Sequence, residues 1–401
     1  MIKQQTNKAL MWTILLISFF QMPQFAILPG TNLIAEKVFP EMGLPVIQAI
    51  MALPGIVAVF AGAGVAMMVR YGLASKKNMT LLGISLISLS GVVALLLNTQ
   101  FWQFCLMNIL IGAGMGIFVS SSQSIMFDNF DEKTRQFISG VQFSCINCGG
   151  LVMSLLCGLL TTIVWYGGHL QMIITIPVAI IALIVIPKDS KIGSPKEGSI
   201  TRSKIPPRAY YYSFLIVIFM IIYNVATVNI STHLAQENIG GSSTAGVATA
   251  LLMGGGVVAG LFFPKLSPKL RDQLFALTFL LLTAGFTLMA LFPGSLTVTL
   301  IAMFLCGSTM SLLVPRCIFK VSNLSDPTNS ATATMLVCCV APGGGHFLSP
   351  IIMTNLTIAI GGDTTRFRFM FTAAVSLALA GALLIYHSIS DKKPSRTGMP
   401  V

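Results

Sequence analysis

The 401-residue chain is 55% hydrophobic and only 9% charged, with a mean hydropathy of +0.85 and a formal net charge of +12. Soluble domains carry about 25% charged residues, so this chain cannot cover a water-facing surface of ordinary size, and lipid is its natural solvent. Its basic residues lie in short loops between apolar runs, which argues against a nucleic-acid partner.

Twelve apolar runs follow one another along the chain, and each reaches the roughly 20 residues that a helix needs to cross a bilayer. They lie at residues 9–33, 45–69, 78–97, 101–127, 136–161, 167–187, 209–235, 243–263, 273–292, 296–319, 329–358 and 366–388. The first run is too long for the hydrophobic region of a signal peptide and is interpreted as a span. The pattern predicts an all-α polytopic membrane protein with twelve transmembrane helices.

The longest connection between two runs lies in the middle of the chain and is rich in Lys, Arg, Ser, Gly and Pro, as is typical of a linker. We therefore predict an N-terminal six-helix half at 1–187, a cytoplasmic linker at 188–208, a C-terminal six-helix half at 209–390 and a cytoplasmic tail at 391–401.

Lysine and arginine are distributed unevenly between the two ends of the runs. Of the 24 such residues, 20 fall on the side of both termini, one is Arg316 within a run, and three fall on the opposite side, namely Lys37, Arg366 and Arg368. Because cytoplasmic loops carry an excess of Lys and Arg, both termini are predicted to be cytoplasmic. The short loops favour a multi-pass monomer in the bilayer of a bacterial (inner) cell membrane.

The two halves align at a constant offset of 195 residues. The matched positions are Arg70 with Lys265, Lys76 with Arg271, Gly112 with Gly307, Asp131 with Asp326, and Gly149–Gly150 with Gly344–Gly345. One offset serves three separate pairs of runs, which predicts two six-helix pseudo-repeats. Parallel repeats of this kind are typical of transporters whose halves rock about a central site.

Four stretches carry short motifs: VAMMVRYG followed by LASKK at 65–77, NILIGAGMG at 108–116, DNFDEKTRQFISG at 128–140, and the glycines of the fifth run. Together with the twelve runs and the repeat, they resemble the major facilitator superfamily over essentially the whole chain. Val69 stands where that family usually has Asp, and Asn108 stands where it usually has Arg.

The resemblance implies a secondary transporter in which the first, fourth, seventh and tenth spans line a central cavity. It also implies a gate at the cytoplasmic face, where Arg70 and Asp128 would form a charge cluster and Gly72 would be a further gating residue. Ordinary anchoring of a basic residue at the cytoplasmic interface is the alternative role of Arg70.

Charged groups within the runs are rare. None of the twelve acidic residues lies in the middle of a run, which disfavours a cation antiporter coupled through an embedded carboxylate. Arg316 could bind a carboxylate or phosphate through its planar fork, or it could snorkel towards the headgroups near Lys320. His346 could titrate near neutral pH and couple a proton to transport, or it could be a neutral packing residue.

Polar uncharged residues recur at helical spacing in the first, fifth and seventh runs. Each could face a polar cavity or form a hydrogen bond between helices. The candidate substrate-binding residues are Gln21, Gln24, Gln142, Asn147, Tyr223, Asn224, Thr227, Arg316 and His346.

These features predict a secondary active transporter that moves a small organic solute, with an organic anion as one candidate, by rocking-type alternating access. Efflux of amphipathic drug-like compounds is an alternative. No nucleotide-binding loop appears, so a gradient of protons or another ion is the expected driving force. An enzyme is disfavoured because no acid orients the His346–Ser349 pair. Cys145 and Cys148 lack partners at metal spacing, so no metal or cofactor is predicted.

Overall fold

The computed structural model describes residues 8–70, 73–130, 132–187, 207–324 and 336–390. These residues form helices joined by short turns, and no strand occurs among them. Helix is the expected outcome in lipid, because the backbone amides of a spanning segment must be satisfied within that segment. The predicted all-α fold class is confirmed.

Six helices form the N-terminal half. They are α1 (Lys8–Phe19 and Pro23–Val38, bent by 41° at the break), α2 (Gly43–Arg70), α3 (Lys76–Leu96), α4 (Phe101–Asn129), α5 (Glu132–Leu160) and α6 (Gly167–Val185).

Six further helices form the C-terminal half. They are α7 (Pro207–Gln236), α8 (Ser242–Leu270), α9 (Gln273–Leu291), α10 (Leu296–Leu324), α11 (Leu336–Val340, Ala341–Ser349, Pro350–Thr354 and Asn355–Ala359) and α12 (Thr365–Ser390). Ten of the described helices are long and apolar enough to cross a membrane, and the bent α1 makes an eleventh. The segmented α11 occupies the place of the remaining predicted run. Most of the predicted linker and the tail at 391–401 lie outside the described residues.

The break in α1 was not predicted from the sequence. The amides of Phe20 and Gln21 donate to carbonyls three residues back, at 3.0 and 3.1 Å, and Pro23 begins the next segment without an amide hydrogen. Because proline cannot continue the ladder of hydrogen bonds, the helix restarts there in a new direction.

Close approaches at glycine hold each half together. A Cβ atom built on Gly112 of α4 would lie 2.7 Å from the Pro54 Cα of α2, and one built on Gly307 of α10 would overlap the Leu252 carbonyl oxygen of α8. Small residues permit such backbone contact between membrane helices. Since the two glycines are partners in the 195-residue repeat, equivalent helix pairs use the same packing in both halves.

The helix pairs that join the halves include α1 with α7, α2 with α11, and α5 with α8. The repeat relates α5 to α11 and α2 to α8, so the last two pairs are equivalent contacts. In the third pair, a Cβ atom on Gly246 would lie 2.9 Å from the Gly158 Cα and 2.7 Å from the Ser154 carbonyl oxygen. The halves therefore meet backbone to backbone at this point.

The helix ends lie at two opposite ends of the bundle. We call the end where α1 begins and α12 ends the termini face, and we call the opposite end, where α2 and α12 begin, the far face.

Candidate functional site

A hydrogen-bonded group near the middle of α7 and α11 contains three of the predicted residues. The Nδ1 atom of His346 lies 2.7 Å from Oδ1 of Asn224, and the Thr227 hydroxyl lies 3.2 Å from the same oxygen. The Asn224 side-chain amide also donates to the Met220 carbonyl at 2.7 Å, which fixes the orientation of the amide. Because Oδ1 can only accept, Nδ1 of His346 carries a proton and Nε2 is the basic nitrogen.

The His346 ring lies against the opposite half of the molecule. It is 3% exposed, and its centroid is 5.5 Å from that of Phe25 in α1. A Cβ atom on Gly55 of α2 would come within 3.0 Å of the imidazole. The centroid of the buried Tyr223 ring lies 6.5 Å from that of the Phe25 ring. Within the described part of the chain, Nε2 of His346 has no hydrogen-bond partner. A basic nitrogen is thus held where four helices meet.

A second polar group lies between α1 and α5. The side-chain amide of Gln142 donates to the Ser18 hydroxyl at 2.9 Å and to Oε1 of Gln21 at 3.4 Å. One turn further along α1, Oε1 of Gln24 is buried and lacks a partner among the described residues. Of the predicted amides, Gln21 and Gln142 therefore come together within the N-terminal half.

Asn147 of α5 lies at the interface between the halves rather than in either polar group. A Cβ atom on Gly256 of α8 would be 2.8 Å from its Oδ1. This amide therefore packs where α5 crosses α8.

Arg316 lies apart from both polar groups. Its guanidinium is 3.0 Å from the Asp272 carboxylate and 3.3 Å from the Ser267 hydroxyl, and the Lys320 ammonium is 2.8 Å from the same carboxylate. We call Asp272, Arg316 and Lys320 the charge triad. Partial burial raises the pKa of the Asp272 carboxyl, but the hydrogen bonds and charges of the two cations outweigh burial, so its pKa lies below the ordinary value.

The charge triad has consequences for the predicted anion contact. All three residues belong to the C-terminal half near the termini face, and Arg316 is 7% exposed. Its fork is directed at a carboxylate of the same chain. Two cations share one carboxylate, so one positive charge remains uncompensated within the triad.

The predicted gating residues fall where the structure describes little. Gly72 lies outside the described residues, and so do the side chains of Arg70 and Asp128. Their gating role stays a prediction.

The neighbourhood of His346 does not form a nucleophile–base pair. The Ser349 hydroxyl donates to the Ile221 carbonyl at 2.7 Å. Among the described residues, no group of three or more His, Cys, Asp or Glu side chains could hold a metal ion.

A buried polar network near the far face was not predicted. Gln48 of α2 donates to Oδ1 of Asn229 at 3.0 Å and accepts from the Thr354 hydroxyl at 2.8 Å. Arg368 also donates to Oδ1 of Asn229, and to the Thr357 hydroxyl at 3.1 Å. Arg368, which the charge count places on the side opposite the termini, lies one turn into α12 and is fully buried. Its position inside the run 366–388 was the available signal.

The comparison with protein families decides the identity of the fold. A family model described as Major Facilitator Superfamily matches residues 14–340. The chain belongs to the Major Facilitator Superfamily. The family resemblance predicted from the four motifs is confirmed, and with it the fold of twelve helices in two repeats.

Solved structures of other superfamily transporters share this fold. A POT family transporter in complex with a thioalcohol-conjugated peptide is 14% identical, with a TM-score of 0.75 and 96% of each chain covered. The nucleoside transporter NupG is 14% identical, with a TM-score of 0.71 and coverage of 94% of this chain and 98% of NupG. A bacterial homolog of the human lysosomal transporter Spinster, in an inward-facing and occupied conformation, is 15% identical, with a TM-score of 0.68. The match covers 97% of this chain and 99% of the homolog.

At these identities the likeness concerns the fold alone. A search of curated protein sequences returned no match. Membership in the superfamily, with a fold shared by transporters of small molecules, supports secondary transport in a multi-pass membrane protein and indicates a transporter rather than an enzyme.

Proposed function

We propose that this superfamily member is a secondary active transporter that moves a small organic solute by rocking-type alternating access. The observation that carries the proposal is the position of His346. Its basic Nε2 has no partner among the described residues and lies where α7 and α11 of one half meet Phe25 and Gly55 of the other. A group held between two rocking halves can be reached from one side of the membrane or the other.

Contacts near the far face support the rocking motion. The Ser231 hydroxyl of α7 donates to the Pro29 carbonyl of α1 at 2.9 Å, and Gln48 of α2 bonds to α7 and α11. These hydrogen bonds tie the two halves together at that end. They are the contacts expected of a state that is closed at the far face.

The distribution of Lys and Arg indicates on which side of the membrane this state is closed. With both termini in the cytoplasm, as the excess of Lys and Arg favours, the far face lies on the outer side of a bacterial inner membrane. The described state is then closed to the outside, and the solute enters or leaves the site through the termini face.

Two solute classes fit the groups at hand. An organic anion is favoured by the charge triad near the termini face, where two cations share one carboxylate among the described residues. An amphipathic compound is favoured by the apolar and aromatic surroundings of His346, since Phe25, Tyr223, Phe219 and Met220 are all buried in this region.

A thermal-shift screen of detergent-purified protein separates the two classes. The panel spans carboxylates, phosphate esters, sugars, amino acids and amphipathic compounds, tested on the wild type, Arg316→Ala and the matched control Lys269→Ala, an exposed lysine of α8 outside the charge triad. If the solute is an anion bound by Arg316, a carboxylate or phosphate stabilises the wild type and Lys269→Ala but not Arg316→Ala. Equal stabilisation of all three proteins by lipophilic compounds supports efflux and contradicts an anion site at Arg316.

Proton coupling through His346 is tested in proteoliposomes loaded with the solute identified above. We expect His346→Gln to bind the solute but to lose the response of transport to an imposed pH gradient, because Gln does not titrate. The matched control is His169→Gln, since His169 is equally buried but lies in α6. If transport by His346→Gln still responds to the pH gradient, His346 does not couple the proton. If the wild type transports no solute under any imposed gradient, the proposed function itself is contradicted.

A further inference from the structure

The guanidinium of Arg368 is a buried cation that forms no ion pair among the described residues, and the carboxylate of the exposed Asp363 acts on it only from a distance. The side chain is 0% exposed, and no carboxylate of the described residues lies within ion-pair distance. Its Nη2 atom has no hydrogen-bond partner among them either. Since a buried charge must be stabilised by its hydrogen bonds, the two acceptors that it does have, on Asn229 and Thr357, matter for this end of the molecule.

Asn229 joins this cation to the opposite half. Its amide nitrogen donates to the Val225 carbonyl at 2.9 Å, so its Oδ1 is turned towards Arg368 and Gln48. Gln48 belongs to α2, and both ends of its amide are satisfied by the C-terminal half, through Asn229 of α7 and Thr354 of α11. The Gln48 side chain is also 0% exposed. Withdrawing it would leave polar groups unpaired on both sides of the interface.

We propose that Gln48, Asn229 and Arg368 form a polar lock that holds the far face closed, with Arg368 as the positioning residue. The cation holds the Asn229 side-chain oxygen in place, and that oxygen accepts from the amide of Gln48. The lock rests on the rocking motion of the proposed function, because the Gln48 contacts must break when the halves separate at the far face.

The charge of Arg368 explains why such a lock would be effective. Hydrogen bonds from an ionised donor are roughly twice as strong as neutral ones, and they are stronger in a low-dielectric interior than in water. Because Asn229 accepts from Arg368 and Gln48 at one oxygen, a change at either donor alters the bond that the other makes. The two donors should therefore behave as a coupled pair although they lie in different halves.

Hydrogen–deuterium exchange of the full-length protein in nanodiscs, without solute, measures the lock. The variants are Gln48→Leu, Arg368→Met and their combination. Arg366→Met is the matched control, because Arg366 lies in the same turn of α12 but bonds to the Ala290 carbonyl within its own half. The readout is exchange at the far-face ends of α1 and α7, at 29–38 and 228–236, with the termini-face segments 8–19 and 207–216 as reference.

We expect exchange at the far-face segments to rise about tenfold in Gln48→Leu and in Arg368→Met, and to stay at the wild-type level in Arg366→Met. The double variant should not exceed the larger single effect, since both act through Asn229. Arg368→Lys, which keeps a cation, should fall between the wild type and Arg368→Met.

Three results would overturn the lock: unchanged exchange in both single variants, an equal rise in Arg366→Met, or a rise of the same size at both faces. The third would show a purely structural role in general stability. Because exchange is measured without solute, failure to find a transported compound leaves this test intact. An unchanged exchange pattern in a protein that still transports would remove the lock and leave the proposed function standing.

Discussion

Substituting alanine for Gly246 tests the backbone contact between α5 and α8. The new Cβ atom would lie 2.7 Å from the Ser154 carbonyl oxygen and 2.9 Å from the Gly158 Cα, whereas ordinary contact begins at 3.4 Å. The backbones must therefore separate by about 0.7 Å or distort, and overpacking of this kind costs about 1–3 kcal/mol. Neither neighbouring group is the end of a flexible side chain, so the contact cannot relax cheaply.

Gly254→Ala is the matched control on the same helix. Its Cβ atom would meet only the Leu151 Cδ1 atom, at 3.9 Å. Both variants gain the same helix propensity, about 0.8–1.0 kcal/mol for replacing Gly by Ala. The difference between them therefore isolates the steric cost, and about 1–3 kcal/mol corresponds to roughly 5–150-fold in an equilibrium constant.

Thermal unfolding in detergent measures this difference. We expect Gly254→Ala to melt at or above the wild-type temperature and Gly246→Ala to melt well below Gly254→Ala. Equal melting temperatures for the two variants would refute the claim that the halves meet backbone to backbone at this point.

Three further predictions concern stability and pH. Asp272→Asn should lower the melting temperature at neutral pH, because a carboxyl with a depressed pKa contributes stability above its ordinary pKa. The difference in melting temperature between this variant and the wild type should disappear as the pH falls below the ordinary value of 3.8. Lys77→Met should lower the free energy of unfolding by about 1 kcal/mol, as measured by thermal unfolding. The reason is that the Lys77 ammonium donates to two backbone carbonyls at the end of α6, at 2.7 and 2.6 Å. Gln142→Leu should lower the melting temperature, because it removes the donor to the Ser18 hydroxyl. Gln24→Leu should leave the melting temperature unchanged or raise it, because it removes a buried acceptor that has no described partner. The reverse order of the two variants would contradict the assigned contacts.

The sequence predicted the helices well because lipid imposes a simple rule on them. Runs of apolar residues long enough to cross a bilayer correspond to the described helices, with ends displaced by a few residues, as at 101–127 against Phe101–Asn129. The break in α1 escaped prediction because the run remains apolar through Phe20. Pro23 was the available signal, and the hydrogen bonds around it show where the direction changes.

The candidate site was less predictable, because helical spacing identifies the residues on one face of a helix but not the helix opposite. Asn224 and Thr227 were expected on one face of α7, but their shared partner His346 could be assigned only from the packing of α11. Arg316 illustrates the same limit. Its charge suggested an anion, and nothing in its own helix indicated the Asp272 carboxylate that precedes α9.

Arg368 shows what a count of charges leaves out. The excess of Lys and Arg at the termini face predicts an orientation from totals and contains nothing about the burial of a single residue. The burial of Arg368 arises from Asn229 and Thr357 on two other helices, and no local pattern contains that information.

The repeat also relates two residues that have diverged in chemistry. Positions 121 and 316 differ by the repeat offset of 195, yet Ser121 accepts a neutral hydrogen bond from Thr80 at 2.8 Å while Arg316 is part of the charge triad. Mobile ions screen partly exposed charges and have little effect on a buried pair of hydroxyl groups. Raising the ionic strength should therefore weaken the charge triad and leave the Thr80–Ser121 contact unchanged, so that equivalent positions of the two repeats respond differently to salt.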